Sequence, residues 1–187
     1  MQAIDALLTR RSAKTLTDPP PDEGALELLL ESAARAPDHG RLRPWRFIVI
    51  RGPARERLGE LMADQLLRVQ PAASAESLQR ERQKALRAPL ILVVAAVCHA
   101  SAKIPAIEQI LSAGAAAQNV MLAASALGFG AMWKTGGAAY DEAVKLALGL
   151  AASDTIVGFL YVGTVPAAAV PAPARTEWRD RVSYWGE

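Results

Sequence analysis

Three short groups of residues have the types that chemistry needs. Arg10-Arg11-Ser12 sets two guanidinium groups beside a hydroxyl where the first amphipathic segment ends. A phosphate asks for such donors, and a basic helix end complementing the helix dipole accounts for them equally well. Arg35-Ala36-Pro37-Asp38-His39 lies in a loop ahead of an apolar segment, with His39 either a ligand or a solvated loop side chain. Trp133-Lys134-Thr135 closes a short strand and offers an indole, a cation and a hydroxyl, although a Trp at that position also suits a core. Together these groups supply the parts for a flat, phosphorylated, electron-accepting ligand.

Other chemistries lack their residues. Two histidines and one cysteine leave no cluster with metal-ligand spacing. Cys98 and His99 are neighbours, and on a strand they would face opposite ways and form no dyad. Neither a G-x-S-x-G elbow nor a P-loop is present. Gly128-Phe129-Gly130 is no dinucleotide fingerprint, because it closes a helix instead of opening one.

The segment that must position these groups runs from Ile104 to Thr135. Ala106 to Leu127 has neither Pro nor a β-branched cluster, which predicts one continuous helix of about 33 Å. Ile107, Leu111, Gly114, Gln118 and Met121 share one face, and Ile110, Ala117, Ala124 and Leu127 the next, so the helix is expected to be buried nearly all round. Its centre, Ser112 to Ala117, is small enough for close backbone approach, either within one protomer or against a second subunit or flat ligand. Glu108, Gln109, Gln118 and Asn119 argue against a membrane span.

Around it the pattern predicts a helix over 1–8, a helix over 23–34 capped by Asp22, and a strand at 46–50. A helix from Pro53 to about Val69 follows, then a polar, basic, mobile surface excursion over 71–87. Leu90 to Val97 reads as a strand buried on both faces. Strands at 131–134 and 156–162 flank a helix near 141–148. The tail carries Pro171 and Pro173, then Trp178, Tyr184 and Trp185, and is expected to wrap a neighbour. This order indicates a mixed α/β or α+β sandwich.

At 187 residues the chain is long enough for one domain, 1–187, with one core. Apolar residues at 51% against 21% charged give the balance of a soluble globular protein. A net charge of +2, with basic residues spread along the chain, argues against nucleic acid as a partner. The single Cys98 fits a reducing cytoplasm, and MQAIDALLTRRS is too short in apolar residues for a signal peptide.

The sequence resembles the FMN-dependent nitroreductase family, and most of all its short bacterial NAD(P)H nitroreductase branch. The resemblance rests on Arg10-Arg11-Ser12, RAPDHGRLRPWRFIVI from Arg35, RAPLILVV from Arg87, EQILSAGAAAQNVMLAASALGFGAMWKTG from Glu108 and IVGFLYVGT from Ile156, in order along nearly the whole chain. It implies an α+β, three-layer α/β/α sandwich with a mixed, mainly antiparallel sheet, in an intertwined homodimer with FMN at the subunit interface. It implies FMN contacts from Arg10, Arg11, Ser12, Arg35, His39, Trp133, Lys134 and Thr135, and aligns Lys14 with a position that stabilises reduced flavin. Ala123, Ala124, Ser125, Ala126, Leu127 and Gly128 align with a segment assigned to the nicotinamide nucleotide. Arg43, taken with the flavin contacts, stands where the family usually has Gln, and Asp38-His39-Gly40-Arg41 replaces a Ser/Asn-rich loop. The implied activity is ping-pong electron transfer from NADH or NADPH to a nitroaromatic, quinone or similar small acceptor, with no metal and no membrane. A flavin-dependent reductase or dehydrogenase of another substrate, and a flavin-binding module without turnover, are the alternatives.

Overall fold

Leu90–Ala96 contains no polar side chain, and a strand apolar on both faces needs a packing layer on each. The computed structural model, which describes residues 2–100, 103–167 and 177–186, supplies both layers. Its elements are α1 (Ala3–Thr9), α2 (Glu23–Ala33), β1 (Trp45–Arg51), α3 (Ala54–Val69), α4 (Ala75–Lys84), β2 (Leu90–Ala96), α5 (Ala106–Ala126), β3 (Gly130–Lys134), α6 (Glu142–Ala147) and β4 (Thr155–Gly163). Asp22 caps α2 by accepting from the Ala25 N–H at 2.8 Å.

The four strands run in the order β1-β2-β4-β3 and every pair is antiparallel. A parallel bridge, Ser12 to Ala131, adds a mixed element at the β3 edge. Below the sheet, Ile50, Ile91, Val93, Phe159 and Tyr161 meet Leu58 and Met62 of α3 and Val144 of α6. Above it, Leu92, Val94, Leu160 and Val162 meet Leu26 and Leu29 of α2 and Ala113, Ala116, Ala117 and Val120 of α5. The result is the expected α/β/α sandwich, with β2 entirely buried.

Two expectations are corrected. Residues 71–87 are no mobile excursion: Ser74 caps α4 by accepting from the Ser77 N–H at 3.2 Å, and α4 lies against α3. At Gly59 a Cβ would stand 2.7 Å from the Arg82 carbonyl oxygen, so the two backbones meet there, and Arg82 pairs with Glu60 at 2.8 Å. The sequence is polar because α4 covers another helix and buries none of its own residues. Nor is α5 buried all round. Ser112, Ala113, Ala116 and Ala117 face the core, whereas Ile107 and Leu111 are exposed and a Cβ on Gly114 would meet open space. Small side chains in α5 thus serve first to seat it closely on the sheet and α2. Trp178, Tyr184 and Trp185 are exposed in the protomer, and Pro171 and Pro173 lie outside the described residues.

Candidate functional site

The first candidate group forms along the β3 edge. The Ala13 N–H donates to the Ala131 carbonyl at 3.0 Å, and the Ser12 bridge runs parallel, so Ser12 and Ala13 lie alongside β3, with Arg10 and Arg11 leading into them from the end of α1. Buried Ala13 and Leu16 pin the segment against Gly130, where a Cβ would stand 2.7 Å from Leu16 Cδ2. Arg10 is half-buried, and Arg11, Ser12 and Lys14 are exposed. None of the three cations pairs with a carboxylate among the described residues. Among the described residues, three charges without a carboxylate partner and a hydroxyl therefore gather at one sheet edge, which suits an anionic group.

Trp133-Lys134-Thr135 ends the neighbouring strand. Trp133 is half-buried beneath α5, with its indole N–H donating to the Val157 carbonyl at 3.1 Å. The β2–β4 register steps from Gly158 to Ile156 across Val94 and Ala95, leaving Val157 as a bulge whose carbonyl the indole engages. The ring lies against Gly158, where a Cβ would stand 2.1 Å from the indole nitrogen. Packing therefore accounts for Trp133. Lys134 is exposed, Thr135 is half-buried, and Gly136 at φ 68° turns the chain away from the sheet.

The second group precedes β1. Arg35 is exposed just beyond α2. Asp38 accepts from the N–H groups of Leu42 at 3.1 Å and Arg43 at 2.7 Å, bracing a turn in which Arg41 and Arg43 have φ of 53° and 50°. Gly40, at φ 75°, sits against Ile104, whose Cδ1 would be 2.2 Å from an added Cβ. His39 is no merely solvated side chain, because its Nδ1 meets Glu108 Oε2 of α5 at 2.6 Å.

The fold sets residues 12–13 and residues 133–135 along the same β3 edge, and keeps both apart from Arg35, His39 and Arg43. β3 and β1 are opposite edges of the sheet, with β4 and β2 between them. Three strand spacings make the edges about 14 Å apart. Ala123 to Gly128 form the last turn and cap of α5, at the far end from Glu108. Gly128 takes φ 86°, and the Phe129 N–H reaches the Ala124 carbonyl at 2.8 Å, the helix ending read from the sequence.

Cys98 and His99 lie beyond the end of β2, not on it. Burial, and then the negative charge of Asp154, push the Cys98 thiol above its ordinary pKa. No group of three metal-ligating side chains occurs among the described residues, and no helix there is long and apolar enough to cross a membrane. Sequence reasoning missed Asp38 and Glu108 as supports. Glu108 is 69 residues from His39, and no local pattern relates the two.

The family described as the Nitroreductase family matches residues 7–164. The chain is 38% identical over 164 residues to the Escherichia coli K12 protein named "Putative NAD(P)H nitroreductase YdjA", covering 88% of each. Among solved structures, a nitroreductase-like family protein from Bacillus cereus superposes with a TM-score of 0.84 at 26% identity, over 100% of this chain and 97% of that one. A structure from Desulfovibrio desulfuricans, described as "a putative nitroreductase in complex with fmn", superposes with a TM-score of 0.70 at 25% identity, over 94% of this chain and 92% of that one.

Proposed function

Because this chain belongs to the nitroreductase family, an oxidoreductase family, we propose that it is an FMN-dependent enzyme that passes electrons from NADH or NADPH to a small acceptor such as a nitroaromatic or quinone. The observation that carries this reading is the set of cations at Arg10, Arg11 and Lys14, unpaired among the described residues, around Ser12 at the β3 edge. That donor set fits the flavin phosphate, each charge-assisted hydrogen bond being worth about 1.5–3 kcal/mol. FMN, when bound, supplies a redox centre that accepts a hydride equivalent and returns electrons to the acceptor.

The chain's own residues bind and orient. Arg10, Arg11 and Ser12 take the phosphate, and Lys14 supports negative charge on the reduced ring. Lys134, Thr135 and the backbone at Trp133 meet the ring system where β3 ends. Arg35, His39 and Arg43 complete the site from a second protomer, since in one protomer they stand across the sheet. We assign Ala123 to Gly128 to the nicotinamide nucleotide, with Ala126, Leu127 and Gly128 exposed. The working unit is a homodimer of a single FMN-binding domain, acting in the cytoplasm, and the exposed α5 face and tail aromatics support the pairing.

The test is the absorption spectrum of the purified protein before and after anaerobic NADH or NADPH, followed by steady-state oxidation with a nitroaromatic or quinone. A flavin spectrum that bleaches with nucleotide, and turnover with parallel double-reciprocal lines, are expected. Protein that takes up no FMN refutes the reading. Flavin that never bleaches, or bleaches without turnover, favours a binding module.

A further inference from the structure

We propose that Glu108 is a positioning residue for His39, fixing its imidazole for the bound cofactor; this rests on the FMN reading. Glu108 Oε2 lies 2.6 Å from His39 Nδ1. A carboxylate only accepts, so Nδ1 carries the proton in this bond and Nε2 is the ring nitrogen left for a ligand. An exposed imidazole otherwise samples several rotamers, and the bond to Glu108 narrows that choice before any ligand arrives.

The partner is itself held rigid. Glu108 stands in the first turn of a 21-residue helix. The adjacent Gln109 is buried; its Oε1 accepts from the His99 N–H at 2.8 Å, and its Nε2 donates to the carbonyls of His99 at 3.0 Å and Ile104 at 3.1 Å. Those bonds place Ile104 where it packs on Gly40, next to His39. From within the loop, Asp38 fixes the backbone at Leu42 and Arg43. The His39 turn is thus clamped from both sides, and Glu108 is the member that reaches the side chain.

A plainer role for Glu108 is to complement the positive end of α5, and the experiment separates the two. Apo protein is titrated with FMN, and quenching of flavin fluorescence gives the dissociation constant of wild type, Glu108→Ala, Glu108→Gln, His39→Ala and the double variant His39→Ala/Glu108→Ala. His39→Ala and Glu108→Ala should each weaken binding by about tenfold. Glu108→Gln, which keeps an acceptor oxygen at the same reach, should recover part of that loss. The double variant should bind no more weakly than His39→Ala, because Glu108 acts through the ring. A second readout needs no flavin: the ¹⁵N resonances of His39, one of only two histidines, should shift in Glu108→Ala.

Unchanged FMN affinity in Glu108→Ala, or losses that add in full in the double variant, overturn the proposal. Wild-type protein that takes up no FMN overturns the functional reading instead. Ring resonances identical in wild type and Glu108→Ala overturn the positioning role whatever the flavin does.

Discussion

Tyr161 is a single side chain with a measurable charge history. It lies on β4 in the core between the sheet and α3, and burial pushes its pKa up to about 12, with the Arg87 charge pulling the other way and Glu81 adding to the rise. A folded-state value above the unfolded one of 10.0 contributes stability that is fully present below that pH and is lost as pH climbs towards about 12. The gap amounts to roughly 2–3 kcal/mol as an upper figure. Tyr161→Phe should therefore flatten the fall in stability across that alkaline window and remove the latest phenolate absorbance step, as followed by denaturant melts and ultraviolet titration. An unchanged alkaline melt would show that the phenol is not held neutral. At this scale the sequence is informative where chemistry is local. Asp22 as a cap and Gly128 as a helix end follow from neighbours a few residues away. The Glu108–His39 bond does not, because it spans two distant segments.

At the scale of elements, the bulge at Val157 sets the position of Trp133. Gly158 is required there, since a side chain would occupy the space of the indole. Gly158→Ala should displace the ring, break its bond to the Val157 carbonyl and destabilise the protein by about 1–3 kcal/mol. Pairing it with Trp133→Leu should restore part of the loss; equal denaturation midpoints for Gly158→Ala and wild type would refute this. Element boundaries followed the sequence closely where one periodicity ruled, as in Leu90–Ala96 and in α5. They did not for α4, whose surroundings are another helix: ERQK-type polarity looks the same on a mobile loop and on a helix packed over α3. Trp133 was equally ambiguous, because a bulge in β4 decides its packing and leaves no mark near residue 133.

For the whole molecule, the open question in the sequence was which face of α5 remains for a partner. Ala116 was one of the small residues that made a subunit contact attractive, yet it faces the core. Gly114, beside exposed Leu111, is the small residue that looks outward. Gly114→Arg should weaken the proposed dimer and release flavin together. Replacing a mid-helix Gly favours the helix by up to about 1 kcal/mol, so unfolding of the protomer would not explain the loss. Light scattering beside flavin absorbance checks it, and a variant that remains a flavin-loaded dimer refutes the interface. Hydrophobic patterning alone could not choose the face, because every side of α5 carries apolar or small residues.

The placing of the two residue groups on opposite sheet edges has a genetic counterpart. If each site draws Arg10 from one chain and His39 from the other, Arg10→Ala and His39→Ala are complementing alleles. A hybrid dimer of the two would contain one wholly wild-type site and one doubly defective site. Co-expression with random pairing should then give about a quarter of the sites wild-type affinity for FMN, where neither parent has such a site. Sites built within single chains would return none.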